Sequence, residues 1–215
     1  MFPASTEFGK RIPKQKFYEN LDVSPALRRA FIDQIRLVYW RNKLAASTLN
    51  IAAGEAVTEI EVLEIRLNGP QLDEAVLKQI DKEIPYHILT FDGKAQAWIG
   101  HKSAAASGSS AFKVNRYYHT DWIPENEIDL RIDGLTLDAV YDNFVKQVAE
   151  LQGEEWNANC GAAENVAQSL AREKLKKQIA ALENKMKKEK QLNRRMEINA
   201  EIKKLRRELY KIESV

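Results

Sequence analysis

"YHILTFDGKAQAWIGHK", residues 86–102, decides what kind of fold this chain can build. Asp92-Gly93 stands between two alternating runs, and that dipeptide tolerates the positive φ angles of a type I′ hairpin turn. With those two residues as the loop, Phe91 faces Lys94, Leu89 faces Gln96 and His87 faces Trp98. The register also sorts the faces. His87 shares one side with Leu89, Phe91 and Trp98, while His101 shares the other with Ala95, Ala97 and Ile99.

Working outward, "SAAASGSSA" (103–111) is small, polar and flexible, a loop by composition. "FKVNRYYHTDWI" (112–123) adds a third strand, closed by Pro124. "EIDLRIDGL" (127–135) predicts a further short strand and "TLDAVYDNFVKQVAEL" (136–151) a helix. On the N-terminal side, "QLDEAVLKQIDKEI" (71–84) puts Leu72, Ala75, Val76, Gln79 and Ile80 on one helical stripe, and Pro85 stops it. "AVTEIEVLEIRLNG" (56–69) alternates and closes on Asn68-Gly69, the pattern of a strand. Earlier still, Ser24 and Pro25 form a helix start, and the spacing of Leu27, Phe31, Ile35 and Val38 predicts an amphipathic helix over 25–46.

This order predicts an α+β domain over residues 1–151, a mixed β-sheet packed with helices. "QGEEWNANCGAA" (152–163) reads as a linker. Residues 164–213 contain neither Pro nor Gly and predict helix. Leu175, Ile179, Leu182 and Met186 form one coiled-coil seam, and Ile198, Ile202, Leu205, Leu209 and Ile212 another. The two are out of phase, with the break inside "KKEKQLNRRMEIN". Residues 164–215 are therefore one long helix with a discontinuity or an antiparallel helical hairpin, and the lack of Gly or Pro at the break favours the single helix.

Charge is distributed unevenly behind a net value of +2. Residues 44–163 carry 9 Lys/Arg against 19 Asp/Glu, whereas residues 164–215 carry 15 against 8. The basic tail concentrates its charge in Lys187-Lys188, Arg194-Arg195, Lys203-Lys204 and Arg206-Arg207, a surface for nucleic acid or an acidic partner. Cys160 is the one cysteine, which excludes an intramolecular disulfide and fits a reducing, cytoplasmic setting. No apolar run reaches the ~20 residues that cross a bilayer.

Candidate chemistry is sparse. His87, His101 and His119 sit on neighbouring strands, but the hairpin register turns His87 and His101 to opposite sides, against a shared zinc site. In "YYHTDW" (117–122), His119 and Asp121 share a face about 7 Å apart, a conceivable proton-passing pair beside Tyr117. Glu64-Ile65-Arg66, with Glu61 nearby, is the nearest match to the carboxylates and trailing lysine of a metal-dependent nuclease. Phosphate-binding glycine loops and nucleophile elbows are absent. No catalytic residue, metal or cofactor is expected.

"KRIPKQKFYENL", "YWRNKLAASTLNIAAGEAVTEIEV", "LDEAVLKQIDKEIPYHIL", "QAWIGHK", "FKVNRYYHTDW" and "QLNRRMEINAEIKKLRREL" resemble a bacterial family known as domain of unknown function 4391. The resemblance implies a setting beside helicase-like and DNA methyltransferase genes of restriction or phage-defence type. It brings no catalytic residues. The expectation is a non-enzymatic accessory or adaptor protein that meets a partner, or itself, through the C-terminal coil. A divergent metal-dependent nuclease and a nucleic-acid binder acting through the basic tail and first helix remain alternatives.

Overall fold

The computed structural model describes residues 2–19, 23–81, 86–91, 94–104 and 112–213. Strands β4 (Tyr86–Phe91) and β5 (Lys94–Ala104) pair antiparallel with the expected partners: Phe91 opposite Lys94, Leu89 opposite Gln96, and His87 opposite Trp98. The Asp92-Gly93 turn and residues 105–111 of the expected loop lie outside the described residues. β6 (Phe112–His119) extends the sheet from β5, and two-residue β7 (Ile123–Pro124) returns to pair with the start of β5.

On its other side β4 runs parallel to β3 (Glu59–Leu67), and α3 (Glu74–Asp81) makes the crossover. β3 pairs antiparallel with β2 (Ile35–Ala45), and β2 with the edge strand β1 (Glu7–Ile12). The sheet is thus mixed, in the order β1-β2-β3-β4-β5-β6. β1 is bulged between Glu7 and Lys10, where Gly9 takes a φ of 58° that a side chain would disfavour.

The first helix is shorter than expected. α1 (Pro25–Gln34), capped by Ser24 Oγ on the Leu27 N–H, stops at Ile35, and residues 35–45 form β2. Irregularities between Ile35 and Leu37 and between Trp40 and Asn42 break the strand's two-residue period. Its buried positions Ile35 and Val38 therefore continue the helical spacing of Leu27 and Phe31. The β-forming run Val38-Tyr39-Trp40 and two waiting partner strands decide for sheet.

Helices cover both faces. On one, Phe31 of α1 and Val76, Leu77 and Ile80 of α3 pack on Val38, Leu63, Ile65 and Leu67. On the other, α4 (Leu137–Leu151), with Val140, Tyr141, Phe144, Val145 and Val148 buried, crosses β3, β5 and β6. Each such fully buried side chain stabilises by about 1.5–3 kcal/mol. Asp138 ties a loop to this helix, accepting the backbone N–H groups of Glu55 (2.6 Å), Val57 (2.7 Å) and Ala56 (3.2 Å).

The strand expected over 127–135 does not form. The short helical turn Glu125–Glu127 takes its start, and the Gln147 side chain occupies both the N–H and the carbonyl of Arg131, so this backbone needs no partner strand. Among the described residues no helix is long and apolar enough to cross a membrane.

The chain divides into two compact units, Met1–Ala158 and Asn159–Val215. The second holds α5 (Ala162–Lys188) and α6 (Leu192–Glu213), which form an antiparallel hairpin rather than one long helix. Glu189 replaces the missing Gly or Pro. It leaves the helix at φ −75°, ψ 130°, and its Oε1 accepts the N–H groups of Lys190 (2.8 Å) and Gln191 (2.9 Å) ahead of α6. The phase shift between the two seams was the trace of this turn.

Candidate functional site

Folding the tail back pairs its two seams with each other. Ile179, Ile198 and Ile202 are buried, Leu182, Met186, Leu205 and Leu209 pack around them, and Leu175 and Ile212 are half-buried. Arg206 with Glu183 (2.7 Å) and Lys176 with Glu213 (3.5 Å) bridge the helices. With the apolar stripe closed within the chain, polar and basic side chains face outward. Lys187, Lys188, Arg194, Arg195, Lys203, Lys204, Arg206 and Arg207 are all exposed.

Topology concentrates this charge. Lys187-Lys188 ends α5 and Arg194-Arg195 opens α6, so both doublets flank the three-residue turn at the closed end. Leu192 (69% exposed) and Met196 (64%) sit among them and turn a charged tip into an amphipathic one. Sequence reasoning passed over both, because neither belongs to a seam.

The enzyme candidates do not converge. His101 is buried on the α4 side of the sheet with Asn115 against its Nδ1 at 3.3 Å, whereas His119 lies on the α3 side, stacked on Trp98 at 4.3 Å. The side chain of His87 lies outside the described residues. His119 Nδ1 sits 3.0 Å from the Thr120 carbonyl, and Asp121 is exposed beyond the end of β6. Glu61 and Glu64 are three apart on β3 and project from opposite faces. Cys160 is half-buried, and desolvation with the Glu164 carboxylate pushes its thiol up, away from the thiolate a nucleophile needs. Among the described residues, no three His, Cys, Asp or Glu side chains group closely enough to hold a metal ion.

The family described as Domain of unknown function (DUF4391) matches residues 1–209. The chain belongs to this family. No curated protein and no solved structure matches the chain. The matched span takes in both compact units and α6 through Leu209, so the hairpin is part of the DUF4391 pattern rather than an appendage to it.

Two polar groupings on and beside the DUF4391 sheet, one buried and one partly buried, escaped the sequence reading. Lys102 Nζ lies 3.2 Å from the Asp81 carboxylate, with side-chain exposures of 7% and 0%, and also donates to the Asp81 carbonyl at 2.7 Å. Burial lowers the Lys102 ammonium while Asp81 opposes the shift, and burial beside Asp81 raises the Tyr117 hydroxyl. A cavity of about 420 Å³ opens there, between Glu74, Lys78, Asp81, Asn115, Arg116 and Tyr117. Its cations are met by anions: Lys78 by Glu74, Arg116 by Glu154 and Lys102 by Asp81. The second grouping is Glu59 with Glu61 on β3. Burial first, and the Glu59 carboxylate next, push Glu61 up to about 8, while Lys43 pairs with Glu59. Two carboxyls i and i+2 on one strand face carry the signal, but their burial depended on which strands flank β3.

Proposed function

We propose that this chain is a non-enzymatic accessory protein of a DNA restriction or phage-defence system, docking a protein partner through the tip of its C-terminal hairpin. The observation that carries it is the closed seam with exposed basic doublets at the turn. A hairpin that satisfies its own apolar stripe presents what remains outside, and here that is Lys187, Lys188, Arg194 and Arg195 around Leu192 and Met196. Such a surface fits an acidic patch with an apolar centre, the pattern of a partner interface.

Self-association through the same seam would require opening the hairpin, so recognition by the outer face is the simpler route. The opposed orientations of Glu61 and Glu64, and of His101 and His119, support the non-enzymatic side of the reading. The partner class we propose is helicase-like or methyltransferase subunits of the cytoplasm, the setting that the resemblance implies.

The test is affinity capture from the native host with the full chain and with a Lys187→Glu/Lys188→Glu/Arg194→Glu/Arg195→Glu variant. The wild type should enrich helicase-like or methyltransferase subunits, and the variant should lose about tenfold or more of that enrichment at unchanged helicity. Recovery of the same subunits by both proteins, or of none by either, would reject the reading.

A further inference from the structure

The Glu64-Ile65-Arg66 triplet has another use. Tyr39 lies opposite Glu64 on one side and Arg11 on the other, so Arg11, Tyr39 and Glu64 form a row across β1, β2 and β3 on one sheet face. Glu64 is buried, its side chain 4% exposed, and it accepts from two arginines: Arg66 Nε at 2.5 Å and Arg41 Nε. Arg41 and Arg66 keep 48% and 46% of their side chains exposed. The Arg66 guanidinium stands 5.4 Å from the Tyr39 ring centre, and Arg11 is exposed on the edge strand.

Neutralising Glu64 requires one cation. The face supplies two to it, and a third in Arg11 that Glu64 does not hold, in a chain whose middle is strongly acidic. Both guanidiniums meet Glu64 through Nε and stay about half exposed, and a guanidinium's terminal amino groups form the fork that matches phosphate oxygens. Exposed Glu125 contributes the opposing charge near Arg66. A strand face with guanidiniums set around an aromatic ring suits an extended chain of phosphates whose unpaired bases can stack. A duplex keeps its bases inside and gains nothing from Tyr39.

We propose that Arg11, Arg41 and Arg66, exposed around Tyr39 where β1, β2 and β3 run side by side, bind the phosphodiester backbone of single-stranded nucleic acid. This goes beyond the accessory role and uses none of the hairpin residues. The experiment is fluorescence anisotropy of the full chain with a labelled single-stranded DNA of about 20 nucleotides, across a series of NaCl concentrations. Wild type should bind with an affinity that falls steeply with salt, and less tightly to the duplex of the same sequence.

Arg11→Glu leaves the Glu64 network intact and should weaken binding about tenfold. The Arg41→Gln/Glu64→Gln/Arg66→Gln triple, which keeps hydrogen-bonding amides but removes the charge, should weaken it similarly and reduce the salt slope by about one. Thermal melts of both variants check that the sheet is intact. Several results would each overturn the proposal: no salt-sensitive binding by the wild type, affinity within twofold of wild type for Arg11→Glu, or duplex bound as tightly as single strand. So would loss of binding only in the hairpin variant. Partner capture by the hairpin is measured separately, so either idea can fail while the other stands.

Discussion

Glu61 holds a proton at neutral pH because burial and the neighbouring Glu59 carboxylate push it up to about 8. The unfolded chain releases that proton near the ordinary carboxylate value. The sign follows: this contribution to stability is full below about pH 4.5 and is lost as pH rises through about 8. Glu61→Gln removes the titration but keeps the shape. Its melting temperature should exceed that of the wild type by about 3–6 °C at pH 9, with little difference at pH 5, in thermal melts followed by circular dichroism.

At the same scale, Asp81 and Lys102 form a buried ion pair. Lys102→Met takes the cation away from a carboxylate that water cannot reach, and should cost about 3–5 kcal/mol in urea unfolding. Asp81→Asn/Lys102→Met removes both charges and should recover most of it. A Lys102→Met variant as stable as wild type would mean that this pair holds nothing together. Asp81 did not stand out in the sequence, and Glu61 stood out only as a neighbour of the Glu64-Ile65-Arg66 triplet. Each is an ordinary acidic residue in an acidic stretch until its strand or helix is placed against neighbours remote in the chain.

Among the elements, the pairing of β4 with β5 was legible, because a two-residue period fixes a register locally. β2 was not. Its irregularities leave Ile35 and Val38 on a spacing that resembles a helix, and only the pairing with β1 and β3 separates the two. The tail was legible in its seams but not in its turn, since Glu189 does by carboxylate capping what Gly or Pro does by backbone geometry. Glu189→Ala should therefore destabilise the hairpin by about 1 kcal/mol, seen as a lower midpoint of its helical signal. An unchanged midpoint would return the turn to the pairing of the seams alone.

In the whole molecule, an acidic sheet domain carries one oriented arginine surface and a separate unit carries a basic hairpin. The sequence by itself determined the α+β class, the pairing register of β4 with β5 and the helical character of the tail. All of these rest on composition or on periods read within a few residues. Tertiary structure alone decided that the seams close on each other and that β2 is a strand. It also decided that Glu61 is buried beside Glu59 and that Arg11, Arg41 and Arg66 share a face. Those facts depend on which distant segments become neighbours, and a local period carries no information about that.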